Sequence, residues 1–200
     1  MARDGGGRER ILTAAIDLFG RDGVDATTMR DIAAAAHVSP ALVVHHFGSK
    51  EGLSEAADAA VMATLAANRE AMERSAVAAS RGEDERFAYR PLLLLVHNPH
   101  LARYVRRLII DGGERGTAFV QALVHQAAEV QTGLIAAGAA RPSNDLTTRA
   151  AVLAGMALSL VTLREPFTAT LGYDPLTEEG LERWLAQVQQ LVTRGFLIEK

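Results

Sequence analysis

Apolar positions recur at helical spacing along nearly the whole chain, and the breaks between them fall on Gly, Pro and short polar residues. Residues 1–7 are Gly-rich and read as a disordered tail. Ile11, Ala15, Leu18 and Phe19 then form one face of a first helix, which stops at Asp22-Gly23. Thr28 opens a second helix as N-cap, with Asp31 three residues on in place of the usual Glu of a capping box. Met29, Ile32, Ala33 and Ala36 form its apolar face. Ser39-Pro40 starts a third helix almost at once, because Ser caps well and Pro suits the first helical position. Gly48 ends it near Phe47, and Ser49 caps a fourth helix that reads on to about Ala79.

The rest of the chain keeps the same period. A break is expected over residues 80–82, followed by a short helix over residues 86–96. Asn98-Pro99 opens a helix ending at Asp111-Gly112-Gly113, and residues 114–137 read as another, closed by Gly138 and Pro142. A strongly apolar helix spans residues 145–163, with Pro166 expected to end or kink it. Thr177 caps the last helix, whose stripe is Leu181, Trp184, Leu185, Val188, Leu191 and Val192, with Gly195 after its end. No strand is predicted. The expected fold class is all-α, with about nine helices.

Two of these helices carry the chemistry. The second and third are joined only by Ala36-His37-Val38-Ser39, the spacing of a helix-turn-helix whose second helix enters the major groove of DNA. Val38, Val43 and Phe47 can face inward and hold the third helix. Pro40, Ala41, Leu42, Val44, His45 and His46 are then left for faces that can meet DNA.

This segment resembles the TetR/AcrR family of regulators. The resemblance is carried by Ile11-Leu12-x-Ala14-Ala15-x-x-Leu18-Phe19, Gly23, Thr27-Thr28-x-x-x-Ile32-Ala33, Ala36-x-Val38-Ser39 and His46-Phe47-x-Ser49-Lys50-x-x-Leu53. It implies an N-terminal helix-turn-helix domain over residues 8–53 and a ligand-binding and dimerisation domain over residues 54–200. By the same resemblance, Thr28 and Arg30 contact phosphate or a base edge at the start of the second helix. Ser39, Pro40, Ala41 and Leu42 begin the groove-facing helix, with Val44, His45 and His46 beyond them, and Lys50 clamps a phosphate. The family usually has glycine where this chain has His37, a position expected to need a positive φ, and tyrosine where it has Val44.

For the body, the resemblance implies a homodimer built from the last two helices. Their apolar positions Leu153, Met156, Leu160, Leu181, Trp184, Leu185, Val188 and Leu191 are the candidate interface, with burial inside the monomer as the competing reading. An effector pocket is expected between the fourth helix and the helices over residues 86–137. Its candidates are Met62, Phe87, His97, Tyr104, Phe119 and His125. The expected partners are a palindromic double-stranded operator, a small-molecule effector and a second copy of the chain.

Composition adjusts this picture. Aromatics are 5% of 200 residues and cysteine is absent, so neither a disulfide framework nor a thiol-bound metal is expected. The net charge is −3, and residues 1–55 carry six basic against eight acidic side chains, which is not the balance of a typical nucleic-acid binder. That balance supports an alternative, a helical small-molecule-binding protein without DNA binding. An enzyme is disfavoured: there is no phosphate-binding Gly-rich loop, no HExxH and no Gly-x-Ser-x-Gly. The six His residues lack metal-ligand spacing, and no cofactor is implied. The N-terminus lacks the apolar core of a secretory signal and the run at residues 92–96 is too short to span a bilayer, so a cytoplasmic protein is expected.

Overall fold

The computed structural model describes residues 5–67 and 90–194. They form ten helices and, among the described residues, no strand. The helices are α1 (Gly5–Asp22), α2 (Met29–Ala35), α3 (Pro40–Phe47), α4 (Lys50–Ala67), α5 (Arg90–His97), α6 (Pro99–Asp111), α7 (Gly113–Ala136), α8 (Leu146–Thr162), α9 (Arg164–Leu171) and α10 (Glu178–Arg194). Phe87 and the expected break at residues 80–82 lie outside the described residues.

The chain divides into two compact units, one of residues 1–67 and 98–122 and one of residues 68–97 and 123–200. In the first, α1 to α4 and α6 close around Ile11, Ala15, Phe19, Ile32, Val43, Leu53, Val61 and Val105, all buried. A glycine sets how closely α1 approaches α6. A Cβ on Gly20 would lie 2.8 Å from the backbone nitrogen of Tyr104, so any larger residue would push the two helices apart. Asp17 of α1 accepts from His100 and, at 2.8 Å, from Arg103 of α6, fixing the same pair by charge.

In the second unit Leu95, Leu160, Val161, Leu176, Leu181 and Leu185 are buried. Arg149 of α8 donates to Gln131 of α7 at 2.5 Å and to the carbonyl of Arg141 at 2.8 Å. Phe167 of α9 stands 5.1 Å from Trp184 of α10, and Arg164 grips Asp174 through two guanidinium nitrogens.

Two expectations change and one holds. Helix α1 begins at Gly5, inside the expected tail, and Gly7 is buried. The helix expected to end or kink at Pro166 does so: α8 stops at Thr162, whose carbonyl, four residues before Pro166, is the one a proline cannot bond, and after a 77° bend Pro166 sits in the first turn of α9. Leu160, Leu181 and Leu185 are interior side chains of the second unit, because α8 is apolar nearly all round and one of its faces is used inside the chain. Among the described residues no single helix is long and apolar enough to cross a membrane; α8 and α9 pass that test only as a pair bent by 77°.

Candidate nucleic-acid interface

Local rules fold the helix-turn-helix. Thr28 and Asp31 make a complete capping box: the Asp31 amide donates to the Thr28 hydroxyl at 3.2 Å, and the Thr28 amide donates to the Asp31 carboxylate at 3.0 Å. The Thr28 hydroxyl also donates to Asp31 at 2.6 Å, and these bonds hold the Asp31 carboxyl below its ordinary range. The turn is made by His37, whose φ is 54°; it is the one non-glycine residue with positive φ among those described. The Val38 amide then reaches back to the Ala33 carbonyl at 2.9 Å, closing α2.

Ser39 caps α3 by accepting from the Leu42 amide at 3.2 Å, with Pro40 at the first helical position. Val43 is completely buried and anchors the helix, while Val38 and Phe47 are half-buried. On the other side Ser39, Pro40, Ala41, Val44 and His45 are exposed, Val44 by 50%. Leu42 and His46 are only half-exposed because the start of α1 lies over them: a Cβ on Gly7 would sit 3.6 Å from Leu42 Cδ2.

Residues 5–7 of that start fall in the expected tail, while Arg8 and Arg10 belong to the expected first helix and latch it onto its neighbours. Arg8 lies 5.2 Å over the Phe47 ring, and Arg10 donates to the Ala36 carbonyl at 3.3 Å. Arg8 and Arg10 were visible as charges, but only the fold shows which ring and which carbonyl they reach.

At the far end of α3, Ser49 accepts from the Gly52 amide at 3.1 Å and so caps α4. Gly52 is required there, since a Cβ would lie 2.5 Å from the Phe47 carbonyl oxygen. Lys50 donates to the Asp25 carbonyl at 3.2 Å, which fixes the ammonium beside the α1–α2 loop. Arg30 is exposed on α2. The residues expected to meet DNA therefore lie together on α2, α3 and the start of α4, with Thr28 and Lys50 already engaged within the fold.

The candidate pocket residues are divided between the two units. Met62, Tyr104 and Phe119 belong to the first unit, His97 and His125 to the second. His97 is exposed and pairs with Glu178 at 2.7 Å; His125 is exposed and lies 3.5 Å from Glu129. A cavity of about 310 Å³ opens in the first unit, lined by Phe19, Val24, Tyr104, Leu108 and the α6–α7 turn rather than by α4. Of the candidates, Tyr104 lines it. Its hydroxyl donates to Asp58 at 2.7 Å, and Arg115 spans both Asp58 oxygens at 2.8 and 2.9 Å. Burial first, and the Asp58 carboxylate second, push the Tyr104 phenol far above its ordinary range, so it stays a donor. Among the described residues no group of three or more His, Cys, Asp or Glu could hold a metal ion.

The all-helical fold and the short rod presented at its N-terminal end define a helix-turn-helix protein. The sequence pattern described as bacterial regulatory proteins, tetR family, matches residues 11–57, and that described as tetracyclin repressor-like, C-terminal domain, matches residues 97–198. The chain belongs to the tetR family of bacterial regulatory proteins. It is 37% identical over 145 residues to the HTH-type transcriptional regulatory protein RaaS of Mycobacterium tuberculosis, a stretch covering 72% of this chain and 65% of that protein. Further curated regulators match over 43 to 46 residues, 23% of their own length. Among solved structures, a Clostridium perfringens protein described as a fatty acid metabolism regulator superposes with a TM-score of 0.72 at 16% identity, over 95% of this chain and all of the other. Thermus thermophilus FadR, a TetR-family transcriptional repressor in complex with lauroyl-CoA, superposes with a TM-score of 0.60 at 24% identity, over 96% of both chains. These two likenesses share the fold with this chain.

Proposed function

We propose that the protein is a sequence-specific DNA-binding transcriptional regulator, a ligand-responsive repressor that works as a homodimer on a palindromic operator. The observation that carries this is α3: it is pinned from behind by buried Val43, and it turns Ser39, Pro40, Ala41, Val44 and His45 outward. The family pattern spans this segment. Thr28, Arg30 and Lys50 act at phosphates on either side of the groove, and Leu42 and His46 complete the reading face where α1 leaves them open. The functional division lies between residues 8–53, which read DNA, and residues 54–200, which sense ligand and dimerise.

Dimerisation uses what the second unit leaves outside. Leu153 and Leu191 are 41% and 48% exposed, Met156, Trp184 and Val188 are partly exposed, and Val152, Leu163 and Leu171, absent from the sequence expectation, are exposed as well. A two-fold axis suits a palindrome, because two recognition helices roughly 34–36 Å apart enter successive major grooves.

The effector is a small, largely apolar molecule. It acts by preferring a body shape in which the two reading heads are wrongly spaced, so DNA affinity falls by its differential binding. A gel shift with the DNA flanking its own gene tests this. A discrete complex that a bound ligand releases is the expected result. A folded protein that retards no specific fragment overturns the reading in favour of a helical carrier, the reading that the acidic balance of residues 1–55 favours.

A further inference from the structure

Helix α3 reads Pro40-Ala41-Leu42-Val43-Val44-His45-His46-Phe47. It contains no Arg, Lys, Asn, Gln, Asp, Glu, Ser or Thr. Those side chains make the hydrogen bonds by which guanine, adenine and cytosine are told apart in the major groove. The outward face of α3 is instead Pro40, Ala41, half-exposed Val44 and His45. Packing does not require Val44 to be apolar, since Val43 beside it does the anchoring. The major groove offers one apolar group to such a surface, the C5-methyl of thymine. Of the charged and hydroxyl groups of the interface, the Ser39 hydroxyl is engaged in capping α3, and Thr28, Arg30 and Lys50 lie at the starts of α2 and α4, where the function proposed above has them serve phosphates, which carry no base identity.

We infer that α3 recognises its operator through thymine methyl groups, with Ala41 and Val44 as the specificity-determining surface and His45 as the exposed hydrogen-bonding reader. This rests on the DNA-reading function proposed above and adds the chemistry of what is read. The operator half-sites then carry thymines at the positions facing Ala41 and Val44. Their recognition depends on a methyl group that plays no part in base pairing.

The experiment uses the full-length protein. Binding sites are selected from a library of randomised double-stranded DNA, and the enriched duplex is resynthesised with deoxyuridine in place of thymidine inside the half-sites. Pairing, charge and length are unchanged, so only the methyl groups are lost. Affinity should fall about fourfold for each methyl read, and at least tenfold for a duplex losing two or more. Val44→Ala, a change at an exposed helical site, should narrow the thymidine–deoxyuridine difference, read as the ratio of the two affinities for the same variant. Failure to enrich any sequence would sink the DNA-reading function itself. Enrichment with equal affinity for both duplexes, or of half-sites without thymine, overturns the methyl reading and leaves the function standing. A methyl dependence that Val44→Ala does not alter removes Val44 from the reading surface.

Discussion

The two compact units treat their apolar side chains differently. In the first, large apolar residues are almost all enclosed, and those left exposed are Val44 and Ile110. In the second, Val152, Leu153, Leu163, Leu171 and Leu191 are exposed on α8, α9, α10 and the turn at residue 163. The first unit is therefore a finished core that presents one small reading surface. The second leaves five large apolar side chains exposed among its described residues, the surface that the proposed dimer would cover.

That contrast is sharpest when the two kinds of apolar residue are removed. Phe19 is buried in the first unit, and Phe19→Ala should cost about 3–5 kcal/mol of stability in urea unfolding followed by circular dichroism. Leu153→Ala, on the exposed face of α8, should cost less than about 0.5 kcal/mol in the same measurement on dilute protein. Equal losses at the two positions would mean that Leu153 is part of a protomer core.

The next effect falls on assembly. Leu153→Glu with Leu191→Glu places charges on the exposed face of the second unit. Sedimentation should shift from a dimer to a monomer at micromolar concentration, and operator affinity should fall with it. Ile110→Glu, on the first unit, is the matched control and should leave the mass unchanged. A dimer that persists in the double variant would place the interface elsewhere.

How much of this was legible depends on the range of the interaction. Thr28-Asp31, Ser39-Pro40, Gly48, Asp145 and Thr177 act on backbone within a turn or two, and the helices begin and end beside them as the sequence implies. The positive φ of His37 is legible only through the resemblance, which has glycine at that position. Long-range partners are not written locally. The stripe on α10 shows that Leu181 and Leu191 are apolar, but not that the first meets its own chain and the second meets solvent. Nor does the sequence show that Gly7 lies over Leu42, or that His97, expected in a pocket, pairs with Glu178 eighty-one positions away. The break after α8 is legible in Pro166, but the resumption of the chain as α9, with the proline in its first turn, is not.

Acid has a smaller effect and touches both units, since Asp31 in the first and Asp174 in the second are both held low. Asp174 of the second unit is held below its ordinary value of 3.8, first by hydrogen bonds from Arg164 and then, against the cost of burial, by the Leu176 amide. A depressed folded-state value means that the pair adds stability above the unfolded value, and that this is lost as pH falls through the folded value. Stability should therefore decline below about pH 4, and Asp174→Asn should flatten that decline while lowering stability at pH 7. Urea titrations at pH 7 and pH 3 would show it; an unchanged slope would mean that the Arg164 pair is broken in solution.

The smallest expected effect compares one backbone conformation in the two units. His37 of the first and Gly138 of the second both have positive φ, 54° and 72°. A side chain in this region costs about 1–2 kcal/mol, although His tolerates it better than most residues. Glycine removes that strain but adds unfolded-state freedom of about 0.5–1 kcal/mol. His37→Gly should thus change stability by no more than about 1 kcal/mol, in the stabilising direction, since exposed His37 loses no packing. The reverse exchange, Gly138→His, should cost about 1 kcal/mol; nothing lies within 4 Å of a Cβ there, so the loss would be backbone strain alone. His37→Val should be the worst of the three, because a β-branched side chain resists this region most. Ranking the three by urea midpoint checks the turn directly. A His37→Gly variant less stable than the parent would show that residue 37 does not hold the left-handed conformation on which the placement of α3 depends.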